Sequence, residues 1–224
     1  MTLPAVLDEW STIRLISDTG ASLCRFGDGE VKLMMGHDIK SQSHDEALGK
    51  RLRRIAAAHD PRVVVAIPPI YEEIKPSHRG FWARYAAPER ARYFANEEPY
   101  GSSFVTRLDY HPDLDCEDYW ALIRGLWAGR EVLCVTGGGQ DSRWGRTGIL
   151  AGADRVDWLN APQHGAWAAY EALLEHCRAW RGLVVAAVGP TATVLAWDLG
   201  TSGVQCLDLG HLASFYGHSA VRAA

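Results

Sequence analysis

The 224-residue chain predicts an α/β fold with a largely parallel sheet and helices on both faces. Two patterns predict it. Apolar runs without hydrophobic alternation, at Val63–Ile67, Val132–Val135 and Leu183–Val188, suit strands buried on both sides. Segments with helical spacing separate them through most of the chain. A hydrophobic content of 47% over this length also supports a sizeable core, and residues 1–224 are expected to form one domain.

In chain order, Leu7, Trp10, Ile13 and Ile16 outline an entry helix before a strand at Ser22–Phe26. A short helix is expected at Val31–Met35 and a longer one with a basic face at Asp45–Ala58, followed by the strand at Val63–Ile67. The stretch 71–100 is rich in aromatics, arginine and proline, with a helix expected over 80–95, interrupted near Pro88. Beyond it come a short strand at Phe104–Thr106, a helix at Tyr119–Trp127 and the strand at Val132–Val135. A strand at Val156–Leu159, a helix at Ala166–Trp180, the strand at Leu183–Val188, a helix at Thr191–Gly200 and a strand at Val204–Leu207 complete the reading.

The formal net charge of -4 argues against general nucleic-acid binding. Only four of the 23 basic residues are lysines, so arginine, the bidentate phosphate binder, dominates; a GC-rich coding bias gives the same excess. Five cysteines without CxxC spacing disfavour a zinc site and a disulfide framework. The N-terminus lacks a basic, then apolar leader, and no run reaches the roughly 18 apolar residues of a membrane span. The expectation is a soluble protein of the reducing cytoplasm.

Four segments carry chemistry. In Arg25-Phe-Gly-Asp-Gly-Glu30, Gly27 and Gly29 free the backbone to bring Asp28 and Glu30 toward one point. Paired carboxylates there suit Mg²⁺ or Mn²⁺ shared with a phosphate, and Arg25 suits the phosphate; a solvated turn capping the next helix fits the same residues. The glycine-rich loop 137–148 matches neither GxGxxG nor the P-loop pattern, yet it presents Asp141, Arg143 and Arg146 on a loop expected to be mobile. Gly189, Pro190 and Thr191 open a helix whose N-terminus offers an anion site, although Pro and Thr also start helices with no ligand. Leu207-Asp-Leu-Gly-His211 closes the set, with Asp208 and His211 at a strand end where they can meet the first turn. An imidazole joining Asp28 and Glu30 would tilt metal preference toward Mn²⁺, and the competing reading of His211 is structural.

In order and wording these segments resemble a bacterial family first described as a domain of unknown function and then recognised as glycosyltransferases with a fold of their own, GT-D. Arg25-Phe-Gly-Asp-Gly-Glu30 is similar to its arginine-led DxE block, and Phe104-Val-Thr-Arg107 to its TR segment. Leu126-Trp-Ala-Gly-Arg130 resembles its W-x-G-R helix end, and Gly189 to Leu199 its GPTA-x-x-LA-x-DL block. Gly203 to His211 resembles its closing G-x-x-x-x-D-x-GH block. The resemblance spans about residues 20–216.

That resemblance implies a Rossmann-like sheet, Mn²⁺ or Mg²⁺ as cofactor, a nucleotide-diphosphate sugar donor such as UDP-glucose, and a bacterial glycan or glycoprotein acceptor. Asp28, Glu30 and His211 would then hold the metal. Arg25, Gly27, Arg107, Arg143, Gly189, Pro190 and Thr191 would hold the donor, and Asp109, Asp141 or Asp208 would take the acceptor's proton. Three positions depart from the family pattern: Thr136-Gly-Gly-Gly replaces an acidic residue and glycine, Gly165 stands where P-x-x-N-A has asparagine, and Leu-Ala-Ser-Phe-Tyr216 lacks the acidic tail. The alternative is a non-catalytic module that binds a nucleotide or sugar phosphate. A dinucleotide-dependent oxidoreductase is disfavoured by the missing GxGxxG.

Overall fold

The computed structural model describes residues 5–69, 92–94 and 98–216. Helix α1 (Glu9–Thr19) is capped by Asp8, whose carboxylate accepts from the Ser11 amide, and ends at Gly20 in the left-handed conformation. Then follow β1 (Ser22–Arg25), α2 (Asp28–Met34), α3 (Glu46–Ala56), β2 (Val63–Ile67) and β3 (Gly101–Ser102). A 3-10 turn at Ser103–Thr106 precedes α4 (Glu117–Gly125), β4 (Glu131–Gly137), α5 (Arg143–Arg146) and β5 (Arg155–Ala161). The remaining elements are α6 (Tyr170–Arg178), β6 (Leu183–Ala187), α7 (Pro190–Thr201) and β7 (Cys206–Asp208).

The seven strands form one sheet in the order β3-β2-β1-β7-β6-β4-β5, and every pairing is parallel. The chain builds outward from β1 to one edge, crosses to β4 and β5, and fills the gap with β6 and β7. First and last strands therefore lie side by side, Leu23 opposite Leu207. This topology brings the turn after Arg25 against the turn after Asp208.

Two apolar layers sandwich the sheet. Leu133, Val135, Val184 and Ala186 pack toward α2, α3, α6 and α7, whereas Val132, Cys134, Leu183 and Val185 pack toward α1 and α4. Successive strand residues thus face opposite layers, both dry, which is why the runs show no polar alternation. Each fully buried aliphatic side chain contributes about 1.5–3 kcal/mol. The nearly all-buried α7 lies closest to the sheet. A Cβ at Gly200 would meet Ser22 Oγ at 2.6 Å and Val63 Cγ2 at 2.7 Å, so only glycine permits the approach. Arg51 of α3 and Tyr170 of α6 both donate to the Asp198 carboxylate on α7, tying that layer together.

Most expected elements are present with shifted ends. The segment Phe104–Thr106 is a correction: it forms a 3-10 turn instead of a strand, because the Ser102 hydroxyl accepts from the Phe104 amide and caps the turn. The edge strand is the preceding Gly101–Ser102, which pairs with Ala66 and Ile67. The segment 166–180 divides into a 3-10 turn, Ala166–Ala169, and α6. The helix expected over 80–95 lies outside the described residues except for 92–94.

Candidate active site

A cleft of about 750 Å³ opens beyond the carboxyl ends of β1, β4, β6 and β7. Open parallel sheets bind ligands at this end. Arg25, Gly27, Asp28 and Glu30 line it from β1, Arg143 from the loop after β4, Gly189 and Pro190 from β6, and Asp208 and His211 from β7. Arg107, from the segment after β3, also lines it. Of the residues assigned to the metal or the donor, Thr191 alone does not border the cleft: it is fully buried, and its hydroxyl has no hydrogen-bond partner among the described residues.

Asp28 and Glu30 are the first and third residues of α2. Glu30 folds back so that its Oε2 accepts from the Gly27 amide at 2.7 Å, half of a capping box. A Cβ at Gly27 would come within 3.1 Å of that oxygen, so the glycine makes room for the carboxylate. Asp28 is half-exposed and pairs through Oδ2 with Lys32 Nζ at 3.1 Å. The capping reading of this turn is thus realised for Glu30. Capping uses one lone pair and leaves acceptor capacity on the same carboxylate.

Arg25 is engaged on three sides. Nε donates to the Asp208 carbonyl at 2.7 Å, Nη1 to the Ser103 carbonyl at 3.4 Å and Nη2 to Asp208 Oδ1 at 3.3 Å. The Thr193 hydroxyl of α7 lies 3.0 Å from the Arg25 carbonyl and 3.1 Å from Asp208 Oδ2. One guanidinium therefore joins β1, β7 and the turn after β3. Arg107 donates from Nε and Nη2 to both oxygens of Asp109, at 2.9 and 3.0 Å, and its Cζ lies 4.5 Å from the Tyr110 ring centroid.

Three cleft groups are shifted from their ordinary pKa values. Burial raises the pKa of Asp208, against the pull of Arg25. Burial first and the neighbouring Asp208 second push Glu30 up to about 7. His211 is held below its ordinary value by desolvation, then by Arg25, Arg107 and Arg143, with Asp208 opposing. The raised carboxyls of Glu30 and Asp208 thus share the cleft with the arginines that depress His211.

Of the three acids weighed as proton acceptor, Asp109 is bound to Arg107, and Asp208 to Arg25 and Thr193. Asp141 is exposed and does not line the cleft. Among the described residues no group of three or more His, Cys, Asp or Glu is assembled to hold a metal.

The sequence reading missed Ser142, Gln163 and Gly210, all of which line the cleft. Gly210 carried a signal in its place before His211. Gln163 and Ser142 carried none, because only the folded loops bring them to the wall. The loop 137–148 is tightly folded: a Cβ at Gly145 would lie 1.9 Å from the Gln140 carbonyl oxygen, and one at Gly137 2.7 Å from Gln163 Cγ. At Gly165 the backbone has φ 64° and ψ 36°, the left-handed region that glycine and asparagine both tolerate. An asparagine at this position would tolerate the same backbone shape. Free cysteines 24, 134 and 206 are buried in strands, as expected.

Residues 23–223 match the family described as Glycosyltransferase GT-D fold. The probable glycosyl transferase Gly of Streptococcus gordonii is 30% identical over 226 residues, covering 95% of this chain and 32% of that protein. Glycosyltransferase GlyD of Streptococcus pneumoniae serotype 4 is 28% identical over 225 residues, covering 94% of this chain and 27% of that protein. The chain thus spans about a third or less of the length of these relatives. A solved structure described as domain of unknown function 1792 with a distinct glycosyltransferase fold superposes with TM-score 0.86 at 31% identity, covering 98% of this chain and 82% of the other. Another, described as a new glycosyltransferase from Streptococcus sanguinis, superposes with TM-score 0.85 at 29% identity, covering 98% of this chain and 85% of the other. Matched along nearly its whole length in sequence and in fold, the chain belongs to the GT-D fold family of glycosyltransferases.

Proposed function

We propose that the chain transfers a sugar, glucose in the first instance, from a nucleotide-diphosphate donor to a hydroxyl of a bacterial glycan or glycoprotein, with Mn²⁺ or Mg²⁺ as cofactor, in the cytoplasm. The observation that carries the reading is one cleft beyond the carboxyl ends of the strands, lined by the carboxylates Asp28, Glu30 and Asp208 together with Arg107, Arg143 and His211.

The acidic residues fit a divalent cation. Glu30 and Asp208 are both desolvated, and Asp208 further raises the proton affinity of Glu30, a condition that a cation relieves. Asp28 and Glu30 would be its protein ligands with His211 beside it, and donor phosphate oxygens would complete the shell, as is usual for these ions. When bound, the cation supplies charge neutralisation to the departing diphosphate.

The chain's own groups do the rest. Arg107 and Arg143 bind the diphosphate by charge-assisted hydrogen bonds, and Gly189 and Pro190 at the start of α7 give a wall without a bulky side chain. Arg25 holds β1, β7 and the turn after β3 in register, so the lining groups keep their spacing. Such fixed dipoles and charges stabilise the developing negative charge without reorganising.

Thermal-shift screening of nucleotide-diphosphate sugars with and without Mn²⁺ tests the reading, because a ligand that binds only the native state raises its melting temperature. A metal-dependent rise with a UDP-sugar is expected. No response to any nucleotide sugar, alongside a clear response to another ligand class, would overturn it. The commitment of Asp109 and Asp208 to arginines favours, as a second reading, a binding module without turnover, and donor binding without transfer or hydrolysis on any acceptor would select it.

A further inference from the structure

The three cleft arginines differ in how far the protein has already engaged them. Arg25 donates from Nε, Nη1 and Nη2 to protein oxygens, and Arg107 gives Nε and Nη2 to Asp109. The exposed Arg143 side chain makes no hydrogen bond or ion pair with any described residue. It stands beside Ser142, which lines the same cleft and is only 9% exposed. The Ser142 hydroxyl has no hydrogen-bond partner among the described residues. Its backbone, in contrast, is in use: the amide donates to the Gly139 carbonyl, and the carbonyl accepts from the Arg146 amide.

A buried hydroxyl that plays no part in its own turn destabilises the free protein. Its neighbour on the same wall is a guanidinium with five donors and no acceptor. Both groups offer protons, so the complementary ligand is rich in acceptors and negatively charged. The close packing of Gly145 on the Gln140 carbonyl fixes the turn that presents them.

We propose that Ser142 and Arg143 form the subsite that grips the ligand's diphosphate, Arg143 through its guanidinium and Ser142 by donating its hydroxyl proton to a phosphate oxygen. Arg25 is then a strut of the cleft and not a phosphate ligand. The assignment rests on the nucleotide-diphosphate reading above and names the residues that carry it.

Calorimetric titration of the wild type, Ser142→Ala and Arg143→Gln with UDP, and separately with inorganic pyrophosphate, each in the presence of Mg²⁺, tests the subsite, with the melting temperature of each free protein as control. Arg143→Gln and Ser142→Ala are each expected to weaken both probes about tenfold or more, the loss of a charge-assisted hydrogen bond. Both free variants should melt at or above the wild-type temperature, since neither side chain supports the fold. Undiminished binding of both probes by the variants overturns the subsite, as does a lowered melting temperature for Ser142→Ala, which would mark a structural hydroxyl. Wild-type binding of pyrophosphate but not UDP would leave the subsite standing and remove the nucleotide reading. Binding of neither probe by the wild type removes both.

Discussion

The Arg25 guanidinium fills the space above Gly210, where an added Cβ would lie 2.2 Å from Nη2. The first and last chemical blocks of the chain are thereby interlocked: an arginine at the end of β1 needs a glycine just past β7. Gly210 also has φ 44°, in the left-handed region. Gly210→Ala should push Arg25 off Asp208 Oδ1 and strain the turn, costing about 1–3 kcal/mol. Urea denaturation measures it. A loss no larger than that of an exposed glycine outside the left-handed region would show that the turn relaxes around the methyl group.

Asp109 should act on Arg107 and not on the acceptor. Asp109→Asn keeps the shape but lowers the charge that holds the guanidinium, so donor KM should rise a few-fold while the pH profile of kcat keeps its form. A general base would behave differently, with kcat falling about 10²–10⁴-fold. Steady-state kinetics across pH separates the two.

Glu30 predicts a pH dependence for the metal-free protein. Its folded pKa of about 7 lies above the model-peptide value of 4.5, so the folded state binds the proton more tightly than the unfolded chain. Stability from this group is fully present below about 4.5 and declines as pH rises toward and through about 7. The decline should be about 1–3 kcal/mol, moderated by the partial exposure of the side chain. Chemical denaturation in EDTA should show it, Glu30→Gln should remove it, and saturating Mn²⁺ should offset it. A flat profile in the metal-free wild type would contradict the charge imbalance.

At Gly165 the left-handed backbone sets the choice of residue. Gly165→Asn should be nearly neutral, whereas Gly165→Ala should cost about 1 kcal/mol, because Asn tolerates this region better than Ala. Thermal melts of the two variants give the comparison. Because a Cβ at Gly165 would meet no atom within 4 Å, equal losses would mean that the left-handed backbone does not discriminate the two residues here.

Much of the fold was legible because burial on both faces leaves a plain mark. Runs such as Val63–Ile67 and Leu183–Ala187 contain no polar alternation, and each is a strand of the parallel sheet. The Pro190 helix start was legible for a local reason too, since a proline fits a first turn that needs no amide donor there. The segment Phe104–Thr106 was not. Its apolar residues suit strand or 3-10 turn alike, and the deciding contacts come from elsewhere: a Cβ at Gly101 would meet Val64 Cγ1 at 2.7 Å and Thr12 Cγ2 at 2.9 Å, so the edge strand forms at the glycine. In the site, the acids and arginines could be named, but their roles depend on partners far along the chain. Arg25 beside two carboxylates reads as a phosphate ligand, yet its principal acceptor, Asp208, is 183 residues away. Ser142 has no sequence signature at all, because what marks it is a missing partner in the folded loop.

The central claim is that Asp28 and Glu30 hold a cation against a sugar nucleotide's diphosphate. Donor hydrolysis or transfer with Mn²⁺, assayed for the wild type, Asp28→Asn and Glu30→Gln, tests it most directly. Glutamine keeps the acceptor that caps α2, so the second variant removes charge and spares the helix start. Turnover should fall at least about 100-fold in both variants, with neither metal-free variant melting below the metal-free wild type, the scale of losing one preorganised charge in an active site. Wild-type turnover in both would contradict the account.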